Sequence, residues 1–274
     1  MPNGYEIREP VLQVKNIYLN LGGNQILRDL SFDIKDIHRD QSITGQIVGL
    51  LGPSGIGKTQ LFRILAGLNK PDKGEVLIGH PGRIVERGMV GVVAQHYPLF
   101  EHRTVWSNLM VAGARSGKST SDCDKRAKEL LQRFSLYDRR DFYPAQLSGG
   151  QRQRVAIAQQ IMCSEQFLLM DEPFSGLDVV ALDAVQELIN EVTHSHTLNT
   201  TIIVSHDIGA VCEIADMVVL LGRDRDPEGK PIPGARVMGA FNLGDLGLAW
   251  RKGLTSDPAF HTLLEEIRAR FASL

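Results

Sequence analysis

The chain has 274 residues, and its 30 Lys and Arg against 32 Asp and Glu give a formal net charge of −2. A chain of this length accommodates one or two domains and buries enough surface to fold without a disulfide or metal staple. Its 43% hydrophobic and 23% charged residues are typical of a globular protein, and the near-neutral charge argues against a protein that coats nucleic acid.

The sequence shows no targeting or membrane segment. Its first residues lack the basic and apolar regions of a signal peptide, and no apolar run approaches the roughly 20 residues of a membrane-spanning helix. The three cysteines are widely spaced and odd in number, which fits a reducing compartment. We therefore expect a soluble, cytosolic chain.

Short apolar runs separated by polar segments predict an α/β fold with a parallel sheet. Residues 12–17 and 31–34 alternate in the manner of half-buried strands. The run 46–51 is apolar, as a strand covered on both faces would be. Similar runs recur at 89–93, 167–170, 201–204 and 218–221. Several such strands with helical stretches between them indicate parallel pairing.

The segments between and after these strands give helix and loop signals. A capping box at Ser121 and Asp124 predicts the start of a helix, and the charged, Pro/Gly-rich residues 223–238 predict an exposed loop. Asp257 and Pro258 are suited to open a last helix. Its apolar stripe is expected to pack into the core rather than against a partner: Phe260, Leu263, Leu264, Ile267 and Phe271.

The sharpest motif directly follows the run 46–51 and precedes a segment with helical spacing at 60–66. Its glycines let backbone N–H groups curl around phosphate oxygens at a helix N-terminus. Lys58 supplies a charge to the β- and γ-phosphates, and Thr59 supplies a hydroxyl to Mg²⁺. The motif, with the G-x-x-x-x-G-K-[ST] spacing, consists of Gly52, Pro53, Ser54, Gly55, Ile56, Gly57, Lys58 and Thr59.

Three other features look like sites, and we expect each to be structural. Residues 113–120 have only three residues between their glycines, and no strand leads into them, which predicts a polar loop. His194 and His196 lie in a polar stretch typical of a solvated turn rather than a metal site. Cys163 and Cys212 lie among apolar residues and are expected to be small core residues.

Two carboxylates follow the buried run 167–170. Ligands bind where parallel strands end in α/β sheets, and a carboxylate buried there calls for a cation. This predicts that Asp171 belongs to the Mg²⁺ shell. Glu172 would face the opposite side of the strand, where it can meet an attacking water.

The segment Leu147-Ser-Gly-Gly-Gln151 allows two interpretations. Ser148 and Gln151 form a capping box, and the two glycines expose the backbone of the first helical turn. The segment is then either a well-capped helix start or a second anion site. Because one phosphate loop needs no second cradle in its own subunit, a second site would serve a neighbouring subunit.

At this point the chain resembles the ATP-binding cassette (ABC) ATPases over about residues 10–222. The motifs of that family stand in its order: the Walker A loop 52–59, the Q-loop Gln95, the signature 147–151, the Walker B strand with its catalytic Glu 167–172, the D-loop 175–178 and the H-loop 205–207. The resemblance implies an α/β P-loop NTPase (RecA-like) core with an N-terminal antiparallel β subdomain and an inserted α-helical subdomain.

The resemblance also implies how one nucleotide-binding domain, 1–274, is divided. Residues 10–95 and 161–222 would form the β subdomain and P-loop core. Residues 96–160 would form the helical subdomain with the signature, and 223–274 a C-terminal loop and helix.

The resemblance further implies a head-to-tail homodimer with two ATP molecules at its interface. The catalytic residues would be Glu172, which polarises water, His206, which contacts the γ-phosphate, and Gln95. The Mg²⁺ ligands would be Thr59, Gln95 and Asp171. The nucleotide contacts would be residues 52–59 and Gln60, with Ser148, Gly149, Gly150, Gln151 and Asp178 acting on the partner's nucleotide.

The chain departs from the family at three positions. The family usually has an aromatic residue to stack on adenine where this chain has Leu21, and Tyr18 is not expected to replace it. Gln60 stands where a second Ser or Thr is usual, and Gln159 stands in place of the usual Arg after the signature. None of these changes removes a catalytic group, but they put base discrimination and ATP affinity in question.

We therefore expect the ATPase subunit of a transporter whose membrane permease subunits are separate chains. Residues 95–106 resemble the segment of bacterial importers that meets the membrane subunit, and the aromatics Tyr97, Phe100 and Trp106 are expected to be exposed there. Residues 255–260 resemble the nitrate, sulfonate and taurine importers, which indicates uptake of a small anionic solute. A solute-binding protein and a peripheral position on the cytoplasmic face of the inner membrane would follow.

Three other functions remain open at this stage. The chain could drive an exporter or lipid transporter, because the substrate pathway would lie in another polypeptide. It could be a cytosolic ABC ATPase acting on nucleic acid or ribosomes, although it has one cassette, no coiled-coil arms and no basic patch. A non-hydrolysing regulator is disfavoured by the intact Glu172 and His206.

Overall fold

The computed structural model describes residues 5–39, 45–164, 166–194, 200–251 and 253–273. The strands among these residues are β1 (Tyr5–Leu21), β2 (Asn24–Arg39), β3 (Gln46–Leu51), β4 (Lys73–Ile78), β5 (Arg83–Ile84), β6 (Gly91–Val93), β7 (Phe167–Asp171), β8 (Thr200–Ser205), β9 (Met217–Gly222) and β10 (Arg236–Asn242). The α-helices are α1 (Lys58–Leu65), α2 (Val105–Gly113), α3 (Thr120–Arg133), α4 (Gly149–Cys163), α5 (Val179–Thr193), α6 (Ile208–Cys212) and α7 (Pro258–Ser273).

The described strands form two sheets. The central sheet has the order β10-β9-β3-β8-β7-β6; β10 is antiparallel to β9, and the other neighbours are parallel. The second sheet has the order β2-β1-β4-β5 and is antiparallel. The α/β class and the N-terminal antiparallel sheet agree with the expectation from the sequence.

The central sheet separates two apolar clusters. On β3, Val48 and Leu50 face the cluster shared with α1 and the antiparallel sheet, whereas Ile47 and Leu51 face the cluster shared with α2 to α7. All six residues of this strand are buried. This explains why the run 46–51 lacks alternation: a strand covered on both faces is apolar on both.

The helices after β6 pack on the same cluster as the C-terminal helices. The final helix begins at Pro258, where the Asp257 carboxylate accepts the Ala259 N–H at 2.8 Å. Its predicted stripe is confirmed as core: Phe260, Leu263, Leu264 and Ile267 are buried, and Phe271 packs partly against them.

Two local predictions were wrong at their boundaries. Helix α3 is capped by Ser119, whose hydroxyl accepts the Asp122 N–H at 3.2 Å, rather than by the predicted pair Ser121 and Asp124. The loop predicted over 223–238 ends earlier, because Ala235 is buried and pairs with the backbone of β2, and β10 starts at the next residue.

The expected structural features behave as follows. Residues 114–119 form a polar connection between α2 and α3. Cys212 is buried, and Cys163 packs partly against the core. His194 ends α5 with its Nδ1 2.7 Å from the Asn190 carbonyl, while His196 lies outside the described residues. Within the described part of the chain, no helix is long and apolar enough to cross a membrane.

Candidate functional site

The phosphate loop connects β3 to α1. Gly57, the residue before α1, has a φ of 112°, and a Cβ there would lie 3.0 Å from Ile26 Cγ2 and 3.3 Å from the Ile26 carbonyl oxygen. Only glycine fits this conformation and this approach. No side chain caps the start of α1, so the N-terminal N–H groups of the helix are open to an anion.

Lys58 bends back over this loop. Its Nζ donates to the Gly52 carbonyl at 2.7 Å and to the Pro53 carbonyl at 3.2 Å, and it lies 3.9 Å from Glu172 Oε1. Burial lowers the pKa of Lys58, and the nearby carboxylates of Glu172 and Asp171 act in the opposite direction. The lysine is thus held beside the loop by carbonyl groups that a phosphate could replace.

The two carboxylates stand at the end of β7. Asp171 is its last residue, and burial followed by the negative charge of Glu172 raises the Asp171 pKa, while Lys58 lowers it. Glu172 has a φ of 47°, and its N–H donates to the Val204 carbonyl at 2.8 Å. This left-handed conformation turns Glu172 away from the strand direction. An L residue adopts such a conformation only where surrounding contacts hold it.

Glu172 contacts the end of the neighbouring strand β8. Ser205 Oγ donates to Glu172 Oε2 at 2.8 Å, and His206 Nδ1 lies 2.9 Å from Glu172 Oε1. His206 is half exposed, whereas Ser205 is fully buried. Parallel strands end at one edge of a sheet, and that edge brings together Lys58, Glu172 and His206 as the motifs indicated. No role for Ser205 was predicted from the sequence.

Gln95 and Thr59 are the other two predicted Mg²⁺ ligands besides Asp171. Gln95 follows β6 and is exposed, and its Nε2 donates to Ser175 Oγ at 3.3 Å. Thr59 is exposed in the first turn of α1. Gln95 follows the strand next to β7, and Thr59 follows Lys58 at the start of α1; their roles as Mg²⁺ ligands stay predictions.

The signature segment is a helix start, as one of its two interpretations required. Ser148 Oγ accepts the Gln151 N–H at 3.3 Å, and Gln151 Oε1 accepts the Ser148 N–H at 2.9 Å. Gly149 and Gly150 are exposed, and added Cβ atoms there would meet nothing within 4 Å. Asp178 caps α5 by accepting the Ala181 N–H at 2.8 Å. These motif residues interact with their own helices and leave an open surface around the glycines.

The positions that depart from the family have local partners. Leu21 is 42% exposed beside the turn between β1 and β2, while the Tyr18 ring lies under Lys73, whose Nζ is 5.9 Å from the ring centroid. Gln60 Oε1 accepts from Asn69 Nδ2 at 3.4 Å. Gln159 is buried and donates to Asn108 Oδ1 at 3.4 Å, so it serves the helical packing.

The prediction that three aromatics are exposed between 95 and 106 was wrong for two of them. Phe100 is 43% exposed. Tyr97 is partly buried, because its hydroxyl donates to the Pro173 carbonyl at 3.1 Å and accepts from Gln153 Nε2 at 2.8 Å. Trp106 packs partly against the helical cluster.

Comparison with known proteins identifies the family. The model of the ABC transporter family matches residues 34–175, more than half of the chain. The sulfate/thiosulfate import ATP-binding protein CysA 2 of Rhizobium meliloti (strain 1021) is 39% identical over 219 residues, or 77% of this chain and 57% of that protein. The CysA protein of Mesorhizobium japonicum is 38% identical over 78% of this chain and 61% of its own length. The chain therefore spans about three fifths of the length of these relatives.

Solved structures agree. CbiO1 from Clostridium perfringens, described as part of the ABC transporter complex cbiONQ, superposes with a TM-score of 0.72 at 25% identity, covering 94% of this chain and 100% of that one. An ATP-binding subunit of an ABC transporter, at 24% identity and a TM-score of 0.67, shows the same fold. The chain therefore belongs to the ABC transporter family.

Proposed function

We propose that this protein binds and hydrolyses ATP to drive a membrane importer of a small anionic solute. The observation that carries the proposal is the convergence of Lys58, Glu172 and His206 at one edge of the sheet, with Glu172 within 3.9 Å of the other two side chains. A phosphate-binding loop beside a carboxylate that can take a proton from water is the arrangement that phosphoryl transfer to water requires.

The phosphate groups of ATP would lie against the open start of α1. The N–H groups of the loop and the first turn would bind their oxygens, and Lys58 would exchange the Gly52 and Pro53 carbonyls for the β- and γ-phosphates. Gly55 supports this fit, because its φ is 77° and a Cβ added there would meet no atom within 4 Å, which leaves space for a ligand beside the loop.

Mg²⁺ would be held by the Thr59 hydroxyl, the Asp171 carboxylate and the Gln95 amide oxygen, which are the oxygen donors that this ion prefers. Its chemistry there would be to neutralise charge on the phosphate oxygens. Burial and the negative charge of Glu172 raise the pKa of Asp171. The positive charge of Mg²⁺ would act in the opposite direction and favour the ionised carboxylate.

Glu172 would accept the proton of the attacking water. In this structure His206 lies against Glu172 Oε1, so His206 would have to move toward the γ-phosphate before water could reach that oxygen. Its half-exposed side chain has the freedom to do so. Lys58 would remain beside Glu172 and the γ-phosphate and stabilise the negative charge that develops on the phosphate oxygens.

A second copy would complete each site. The signature helix starts with two exposed glycines, Gly149 and Gly150, between the capping residues Ser148 and Gln151, and Asp178 caps the helix after the D-loop. In a head-to-tail homodimer these residues would contact the nucleotide bound to the other copy's phosphate loop. Closure of the dimer on ATP would then be the mechanical step, and hydrolysis would release it.

The partners follow from the same reading. Separate permease subunits would span the membrane, with this chain at the cytoplasmic face of the inner membrane and a solute-binding protein supplying the substrate. Because the relatives include proteins named for sulfate and thiosulfate import, the proposed solute is a small oxyanion. The narrower nitrate, sulfonate and taurine assignment remains a prediction from residues 255–260. Nucleic acid is not among the proposed partners.

The mass of Glu172→Gln in solution tests this proposal. With Mg²⁺ and ATP the variant should form a dimer that is absent without nucleotide, and Lys58→Ala should stay monomeric in both conditions. A variant that binds no ATP would contradict the proposal. Uptake of labelled sulfate, nitrate and taurine into vesicles holding the co-purified permease would identify the solute, and ATP-dependent efflux would favour the exporter.

A further inference from the structure

Ser205 is the last residue of β8, which lies between β3 and β7 in the central sheet. It has no exposed surface. Its hydroxyl makes two hydrogen bonds: Oγ donates to Glu172 Oε2 at 2.8 Å, and it accepts the Asp207 N–H at 3.1 Å. The Ser205 hydroxyl is therefore buried beside the carboxylate that the proposed reaction needs, and it both donates and accepts a hydrogen bond there.

The direction of the Ser205 hydroxyl is fixed by its two neighbours. The backbone N–H of Asp207 can only donate, and a carboxylate can only accept, so the single hydroxyl hydrogen must point at Glu172. Asp207 is itself held, because its Oδ1 accepts the Ala210 N–H at 3.0 Å at the start of α6. Ser205 is thus a donor of set position and set direction.

The two oxygens of Glu172 consequently have different surroundings. Oε2 contacts the buried end of β8, whereas Oε1 lies 2.9 Å from His206 Nδ1 and 3.9 Å from Lys58 Nζ. The contact at Oε1 comes from the His206 side chain, which is 54% exposed, whereas Oε2 accepts from the buried Ser205 hydroxyl and, at 3.4 Å, from the backbone N–H of His206. The main chain of Glu172 is also held, by its bond to the Val204 carbonyl.

We propose that Ser205 is a positioning residue for Glu172: it anchors Oε2 so that Oε1 faces the phosphate loop. This inference rests on the proposed function, because it takes Glu172 as the group that accepts the proton of water. A carboxylate anchored through one oxygen keeps the other in place when His206 moves away. Ser205 has no exposed surface, so it acts through Glu172.

The test compares Ser205→Thr with Ser205→Val, because the two side chains have the same shape and differ in the hydroxyl. Steady-state hydrolysis of Mg-ATP by the full chain should fall about tenfold or more in kcat for Ser205→Val, the scale of losing a hydrogen bond to a charged group. Its KM and its affinity for a fluorescent ATP analogue should stay within about twofold of wild type. Ser205→Thr should retain most of kcat.

Thr201→Val provides the matched control. Thr201 is equally buried on β8, and its hydroxyl pairs with that of Thr193 at 2.6 Å, away from Glu172. Loss of this hydroxyl should lower thermal stability without changing kcat. Equal falls in kcat for Thr201→Val and Ser205→Val would show a structural effect and overturn the proposal.

Two further outcomes are decisive. If Ser205→Val hydrolyses ATP as fast as Ser205→Thr, the proposal is wrong while the proposed function stands. If wild type binds ATP but does not hydrolyse it, the proposed function fails and takes this inference with it. Should the added methyl group disrupt both variants, Ser205→Ala decides the matter: a lower kcat at unchanged KM supports the anchor, and an unchanged kcat overturns it.

Discussion

The edge of the central sheet and the signature helix are built on opposite principles. At the sheet edge, Lys58, Glu172 and Ser205 are buried or nearly so and bond to one another and to loop carbonyls across distant parts of the chain. At the signature, the side chains of Ser148 and Gln151 bond to each other's backbone across one helical turn, and the residues between them are exposed glycines.

This difference shows where each half of the proposed site gets its order. Parallel strands fix the first half within one chain, since their ends share an edge and their backbones are held by the ladder. The second half is ordered only as a helix start, with open surface where a ligand would lie. Under the proposed function, a chain on its own would present a preformed phosphate site and a separate open surface for a second copy.

Among these substitutions, Glu172→Gln at the buried sheet edge should have the largest effect on ATP hydrolysis. The amide keeps the shape of the side chain but cannot accept a proton from water, and such groups contribute about 10²- to 10⁴-fold to rate. We expect kcat for ATP hydrolysis to fall by that factor while nucleotide affinity is retained, measured by phosphate release and by titration with a fluorescent analogue. Comparable hydrolysis by the variant and wild type would exclude Glu172 as the base.

Ser148→Asp and Ser148→Ala should separate the two roles of the open half. Asp caps a helix as well as Ser, whereas Ala costs about 1 kcal/mol, so only Ser148→Ala should lower the midpoint of thermal unfolding. Asp, however, adds a negative charge where the partner's γ-phosphate would lie. In the Glu172→Gln background, Ser148→Asp should abolish the ATP-dependent dimer seen by light scattering.

The thermal unfolding measurement serves as the control for this pair, because it shows whether Ser148→Asp keeps the helix capped. If Ser148→Asp melts like wild type and still forms the dimer on ATP, the signature helix start does not contact the partner's phosphate. The segment would then be a capped helix and nothing more.

Tyr97→Phe tests the contact that connects the sheet edge to the signature helix. The Tyr97 hydroxyl connects Gln153 of the signature helix to the Pro173 carbonyl next to Glu172, and burial raises its pKa to about 12, so it stays a donor near neutral pH. Removing it leaves a buried amide and a carbonyl without this partner, at about 1–3 kcal/mol. Chemical denaturation should show this loss, and an unchanged unfolding midpoint would contradict it.

The sequence predicted the buried half best, because its signals are local. The run 46–51, the glycine spacing of the phosphate loop and the polar residues after two apolar runs each specify a strand end without knowledge of the partner strand. The capping box at Ser148 is equally local, and it was confirmed. What the sequence did not contain was the contact of Ser205 with Glu172, which joins residues 33 positions apart at the ends of the neighbouring strands β7 and β8.

The errors have a common physical origin: contacts with other segments of the chain override or select among local signals. Ser119 with Asp122 and Ser121 with Asp124 have the same spacing, and only the packing of α3 selects the first pair. Likewise, residues 236–242 form a strand because β9 offers its edge, which the Pro/Gly-rich residues just before them do not reveal. Tyr97 looked exposed because its two hydroxyl partners come from other segments.

Glu101→Ala should have the smallest effect on stability. Glu101 and Arg152 form a two-oxygen ion pair that links the exposed segment after the Q-loop to the signature helix, and the hydrogen bond from Arg152 lowers the pKa of Glu101. Since exposed ion pairs add little to stability and are screened by salt, the unfolding midpoint should shift only slightly, and the shift should be smaller at high salt. A loss as large as that of Tyr97→Phe would mean that the signature helix depends on this surface contact, and that the open half is held from outside as well as by its own cap.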